Sequence, residues 1–162
     1  MPPFDPDTFM NQTVDAPVGD TTIAQCPEGE FRAMIADFDS KAFRSFDAGE
    51  SSKNAGKNYT VFEPSFVIQD AAVQAELGRD SVTVRHSGMF LDFAADGSLD
   101  FSKGKNVDLN RLRDAVGQNV AGNWGIAMLR GAGPVMVKVV HEADKKNPEK
   151  KYAKVTKVVK IA

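Results

Sequence analysis

Over residues 134–162 apolar and polar positions alternate with a period of two. Val135, Val137 and Val139 fall on one face, with Met136 and Lys138 on the other. Further on, Ala153, Val155, Val159 and Ile161 stand opposite Tyr152, Lys154 and Lys160. Such alternation with this valine content predicts two half-buried strands. Residues 142–150 between them, with Asn147-Pro148 at the turn, are polar enough to predict an exposed loop. The segment is a hairpin with a lysine-rich tip.

Upstream the same pattern predicts three more strands. In residues 29–38, Phe31, Ala33 and Ile35 alternate with Arg32 and Met34. A long polar connection follows over residues 39–58. Residues 59–69 form the second strand, with Phe62, Phe66 and Ile68 to one side and Pro64 implying an edge or a bulge. Residues 71–77 predict a helical turn before Gly78. In the third strand, residues 81–93, Val82 and Val84 share a face, but Met89, Leu91 and Phe93 alternate beyond Gly88. One extra residue at Gly88 restores a single face, as a bulge does, and leaves Arg85 and Phe90 exposed.

The one strong helix is residues 107–116, with Leu109, Leu112 and Val116 on one stripe. Asn106 or Asp108 suits its start and Gly117 its end. Trp124, Ile126, Met128 and Leu129 are expected to be buried around the glycine-rich stretch 119–133. Residues 1–27, with Pro2, Pro3, Pro6 and Pro17 scattered among acids and no period, read as an acidic arm preceding a domain over residues 28–162. Phe4, Phe9 and Met10 are expected to dock on that domain.

The order strand, strand, strand, helix, strand, strand predicts a mainly β chain with one short helix. It is the layout of an OB-like Greek-key barrel of five strands, here with an extended N-terminal arm. In that fold oligonucleotides bind the face of strands 2 and 3, flanked by the loops between strands 1–2 and 4–5. Both of those loops are basic and polar in this sequence.

Charge sharpens the picture. The net charge of −2 conceals a gradient: residues 1–30 hold six acids and no Lys or Arg, whereas residues 101–162 hold thirteen basic and five acidic side chains. A polyanion-facing end and an acidic tail follow from such asymmetry, although lysines also protect exposed strand edges. The single cysteine, Cys26, excludes an internal disulfide and fits a reducing, cytoplasmic setting. No apolar run approaches the ~18 residues of a membrane span, and no secretory signal is expected.

Catalytic groupings are scarce, so no enzyme and no cofactor are expected. His86 and His141 are lone strand histidines, and Asp37 with Asp39 lacks a third metal ligand. The acids and lysines of residues 142–146 resemble a nuclease site only loosely. Gly131-Ala132-Gly133 lacks the Lys-Ser/Thr of a phosphate-binding loop and is followed by Pro134. Cys26 has no basic neighbour to activate it.

Single-strand binders instead pair cationic grooves with aromatic platforms, because phosphate demands Lys or Arg while every base has a π-face. Tyr59, Arg85, Phe90, Lys138, Tyr152 and Lys154 fall on the expected outer face. Phe43, Arg44, Phe46, Lys53, Lys57, Lys145, Lys146 and Lys150 lie in the flanking loops. Each aromatic has an alternative role: Phe43 and Phe46 in a satellite core under their loop, Phe90 beneath the arm, and Tyr59 and Tyr152 near strand ends, where tyrosine is common.

The stretch Cys26-Pro27-Glu28-Gly29-Glu30-Phe31, the segment Gly104-Lys105-Asn106-Val107 leading into the helix, and the hairpin ending in Tyr152–Ile161 resemble small bacteriophage proteins encoded near replication and recombination genes. Those proteins are OB-fold single-stranded-DNA-binding proteins. The resemblance implies sequence-tolerant protection of single-stranded DNA in the cytoplasm of an infected host, without a cofactor. Many such binders recruit replication or recombination partners through an acidic C-terminal tail. Here the acidic segment is N-terminal, which moves recruitment to residues 1–27, and assembly into a homo-oligomer stays open. The alternative is a phage structural or host-modulating β-barrel that uses the arm for docking and binds no nucleic acid.

Overall fold

The computed structural model describes residues 3–17, 24–51 and 53–161 of the chain. In β1 (Gly29–Ile35) Ala33 and Ile35 are buried and Phe31 half-buried, as the alternation requires. The connection expected over residues 39–58 is partly regular. Asp39 caps a 3₁₀ turn (Ser40–Ala42), its carboxylate accepting from the Lys41 N–H at 2.9 Å. Then β2 (Phe43–Asp47) pairs antiparallel with β3 (Asn58–Phe62).

The second expected strand is divided. β3 lies in one sheet and β4 (Ser65–Ile68) in another, with Glu63-Pro64 as the joint. Pro64 has no N–H to give a ladder, so pairing breaks where the chain changes sheet. Its carbonyl is still used, accepting from the His86 N–H at 2.8 Å. The third expected strand divides likewise into β5 (Thr83–Arg85) and β6 (Met89–Leu91). Between them Gly88 has φ of 129°, a conformation that L side chains resist. The slip in alternation expected to be a bulge is a second crossing between sheets.

Two antiparallel sheets result, ordered β5-β4-β1-β7-β8 and β2-β3-β6, where β7 is Val135–Ala143 and β8 is Lys151–Val159. The outer strands of the larger sheet meet at one isolated parallel bridge between His86 and Val155. There the Ser87 N–H donates to the Val155 carbonyl at 2.9 Å. The chain is mainly β, but five strands and one helix become eight strands and three α-helices among the described residues.

The arm, expected to lack regular structure, contains α1 (Pro6–Met10), with Asp5 as its cap. Phe4 and Phe9 lie 5.4 Å apart, centroid to centroid, and both are exposed, as is Met10; they do not bury against the domain as expected. The arm's last residues do: Cys26 is buried in the core. α2 (Ala71–Leu77) starts at Asp70, whose side chain accepts from the Ala72 and Val73 N–H groups, and ends at left-handed Gly78. α3 (Val107–Ala115) buries Leu109, Leu112 and Ala115. Asn106 precedes it without capping it. Its buried side chain instead accepts from the Asp92 N–H and donates to the Asp92 and Asp100 carbonyls, pinning the 92–106 loop to the helix start.

Phe62 and Phe66, on either side of the Pro64 joint, are both fully buried, so one core serves both sheets. Truncating either to Ala would cost about 3–5 kcal/mol. Val135, Val137, Val139 and Val155 fill the same core. The alternation fails in one place within the hairpin. Val139 pairs with Val155 but Val137 pairs with Val158, so β8 carries one extra residue at Thr156. Val158 therefore turns inward, and Val159, expected inside, is exposed. Phe93 and Met128 are likewise exposed rather than buried.

Candidate functional site

Cross-strand partners share a face, so the register of the small sheet sorts its side chains. Phe43, Phe62 and Met89 are aligned on the inner side. Phe43 stacks on Phe62 at 4.9 Å and meets Phe38 edge-on at 6.4 Å, so its ring belongs to the core. Arg44, Phe46, Tyr59, Val61 and Phe90 are on the outer side.

Three of these make an aromatic cluster. Ring centroids are 5.9 Å apart for Phe46 and Tyr59, 6.3 Å for Phe46 and Phe90, and 5.6 Å for Tyr59 and Phe90. Phe90 is 54% exposed. The cluster walls a shallow hollow of about 430 Å³, completed by Ala48, Gly49 and Asn54. At its side the Arg44 guanidinium lies 5.0 Å from the centre of the Phe46 ring. Glu63 holds that guanidinium, accepting at 2.9 Å, and its other carboxylate oxygen lies 3.7 Å from Arg85. Glu63 is largely buried while both arginines stay half exposed, so one acid aims two cations outward. Lys53 and Lys57 are exposed in the loop closing the β2–β3 hairpin, where the Ala48 N–H donates to the Lys57 carbonyl.

The remaining candidates sit on the β7–β8 hairpin. Lys138 is exposed between Glu30 and Lys157, its neighbours across the sheet. Tyr152 faces Glu142, and Lys154, half-buried, pairs with Val140. Lys145, Lys146 and Lys150 are exposed at the tip. Asp144 organises that tip by accepting from the Lys146 N–H at 2.7 Å and the Asn147 N–H at 3.2 Å. Those two bonds, aided by the charges of Lys146 and Lys150, hold its carboxyl below the usual range. The structure thus gathers Phe46, Tyr59, Phe90, Arg44 and Arg85 in one place. No hydrogen bond, ion pair or ring contact among the described residues links that cluster to the hairpin tip.

The arm's root is tied to the same hairpin. The Gln25 side chain accepts from the Ala153 N–H and donates to the Lys151 carbonyl, and His141 Nε2 is 2.7 Å from the Cys26 carbonyl. Burial, with Asp70 and Glu76 adding, pushes the Cys26 thiol up to about 11, which leaves it a protonated core group. Asp37 lies 3.6 Å from Arg130, and Asp39 caps its turn. Among the described residues no three His, Cys, Asp or Glu side chains converge to hold a metal. No described helix is long and apolar enough to cross a membrane.

Several basic and aromatic groups beside α3 escaped the sequence pattern. Arg113 lies over both Trp124 (4.5 Å) and Phe101 (5.5 Å) and donates to the Gln118 and Val120 carbonyls, ordering the glycine-rich loop. Lys103, Lys105 and Arg111 are exposed nearby. The signal was the string Phe101-Ser102-Lys103-Gly104-Lys105, which alternation alone does not pick out. Searches of family models, of curated proteins and of solved structures find no match for this chain.

Proposed function

We propose that this chain binds single-stranded DNA with little sequence preference and protects it during phage replication or recombination. The carrying observation is the outward cluster of Phe46, Tyr59 and Phe90 beside Arg44 and Arg85. Flat rings accept any base, and guanidinium groups accept phosphate, so the pair suits a strand without specifying its sequence. The hairpin-tip lysines add attraction of longer range. Among the described residues no lysine makes an ion pair, so no carboxylate holds these ammonium groups away from a polyanion.

The finer architecture belongs to the same proposal. The order β5-β4-β1-β7-β8, the edge-to-edge bridge at His86 and the placement of α3 between β6 and β7 favour an open OB-like barrel. Anisotropy of labelled oligo-dT at low and high salt tests the function. Binding that weakens as salt rises supports it; no binding, or affinity indifferent to salt, removes it.

A second reading rests on the exposed Phe4, Phe9, Met10 and Val14 of the arm, which suit docking by a structural or host-modulating protein. Self-assembly through the arm without DNA, measured by light scattering, would favour that reading.

A further inference from the structure

Two hollows run together along the solvent side of α3. One, of about 520 Å³, lies between α3 and the end of β8, with His86 in its lining and Lys157 and Lys160 on its rim. The other, of about 390 Å³, lies between α3 and the loop carrying Phe101, Lys103 and Lys105. Arg111 and Asp114 line both, so the two form one groove. Five cations border it against two acids, Asp108 and Asp114, and Asp108 is already 3.5 Å from Arg111. Phe101, 42% exposed, offers a ring at one end.

The other end has a buried imidazole. His86 is 5% exposed, and its Nδ1 accepts the Gly88 N–H at 2.9 Å, so the neutral ring carries its proton on Nε2. Among the described residues no group accepts from that Nε2–H, and since no described side-chain nitrogen is both buried and unpartnered, it opens to the hollow that His86 lines. A ring held in place by burial, with a partnerless N–H open beneath a cationic rim, suits an acceptor-rich anion.

We propose that this groove is a second track for the same nucleic-acid strand, holding a stretch of sugar-phosphate beyond the bases stacked on Phe46, Tyr59 and Phe90. Lys103, Lys105, Arg111, Lys157 and Lys160 meet phosphates, Phe101 stacks one further base, and His86 donates to a base or sugar oxygen. The proposal rests on the single-strand reading above. It adds a consequence that the aromatic face alone does not have: short strands engage one track and long strands both.

The test uses the full chain with labelled oligo-dT of about 5 and about 20 nucleotides, lengths that bracket single-site occupancy. The triple variant Lys103→Gln, Lys105→Gln, Lys160→Gln changes only exposed side chains. It is expected to bind the short oligomer like wild type and the long one about tenfold more weakly, with a log-log salt slope shallower by about 2. Trp124, 6.1 Å from Phe101, is expected to change its fluorescence with the long oligomer only. If the variant matches wild type at both lengths, or weakens equally at both, the second track is wrong while the single-strand reading survives. If wild type binds neither oligomer, the single-strand reading fails and the second track with it.

Discussion

The outer face of the small sheet and the tip of the β7–β8 hairpin both present positive charge, but they hold it differently. On the sheet, Arg44 and Arg85 converge on a largely buried Glu63 and border rings that pack on one another. At the tip, Lys145, Lys146 and Lys150 project from a turn ordered by Asp144 through the backbone alone, so the turn is fixed while the ammonium groups are not. A fixed, aromatic-bordered cation says where a base should lie. A solvated lysine says only that phosphate is welcome nearby. Under the proposed function, contact geometry falls to one region and salt-sensitive attraction to the other.

The largest expected effect acts where the two sheets join. Burial holds His86 at about 4, against an ordinary 6.5, and outweighs the opposing pull of Asp108 and Glu63. The unfolded chain therefore takes up this proton first as pH falls. Stability is complete above about 6.5 and drops by up to about 3 kcal/mol as pH falls toward about 4. Thermal melts across that window should show the loss, and His86→Gln should flatten it. Parallel pH profiles for the two proteins would mean that the joint is not the acid-sensitive point.

Next in size is Phe90→Ala, which removes the most exposed ring of the cluster. Affinity for oligo-dT should fall by about 1–3 kcal/mol with the salt slope unchanged. A steeper or shallower slope would show that the sheet face acts through charge after all. Glu63→Gln weakens the grip on both arginines, and a stability loss of about 1 kcal/mol is expected in denaturant titration, because both partners are half exposed. A larger loss would mark the cluster as a structural element first. The smallest effect at high salt belongs to the tip. Lys145→Gln, Lys146→Gln and Lys150→Gln together should make the salt slope shallower by about 2, so that binding weakens in dilute buffer while affinity toward about 1 M salt barely changes. If they erase binding, the division between the regions collapses.

Much of the hairpin was legible from period alone, because Val135, Val137 and Val139 have polar or half-buried neighbours that leave one choice of face. β8 was not, since Val158 and Val159 are the same residue and only the extra position at Thr156 decides which points inward. Pro64 and Gly88 announced breaks in pairing, yet a break looks alike in sequence whether the strand bulges or leaves for another sheet. β2 was hidden by polarity: Arg44 and Ser45 are exposed and Phe46 faces outward, so the segment reads as a loop. With β2 missed, Phe46 could not be set beside Tyr59, although both residues had been picked out for their chemistry. The groove along α3 depends on contacts between residues some fifty positions apart, and local alternation carries no information about those.

Gln25 grips β8 as a neighbouring strand would, one amide serving both a donor and an acceptor of the backbone. The root of the acidic arm is therefore moored to the very ribbon that bears the lysines. Displacing Gln25 would strip the Lys151 carbonyl and the Ala153 N–H of their shared partner, so whatever loosens the root of the arm also loosens the outer edge of β8.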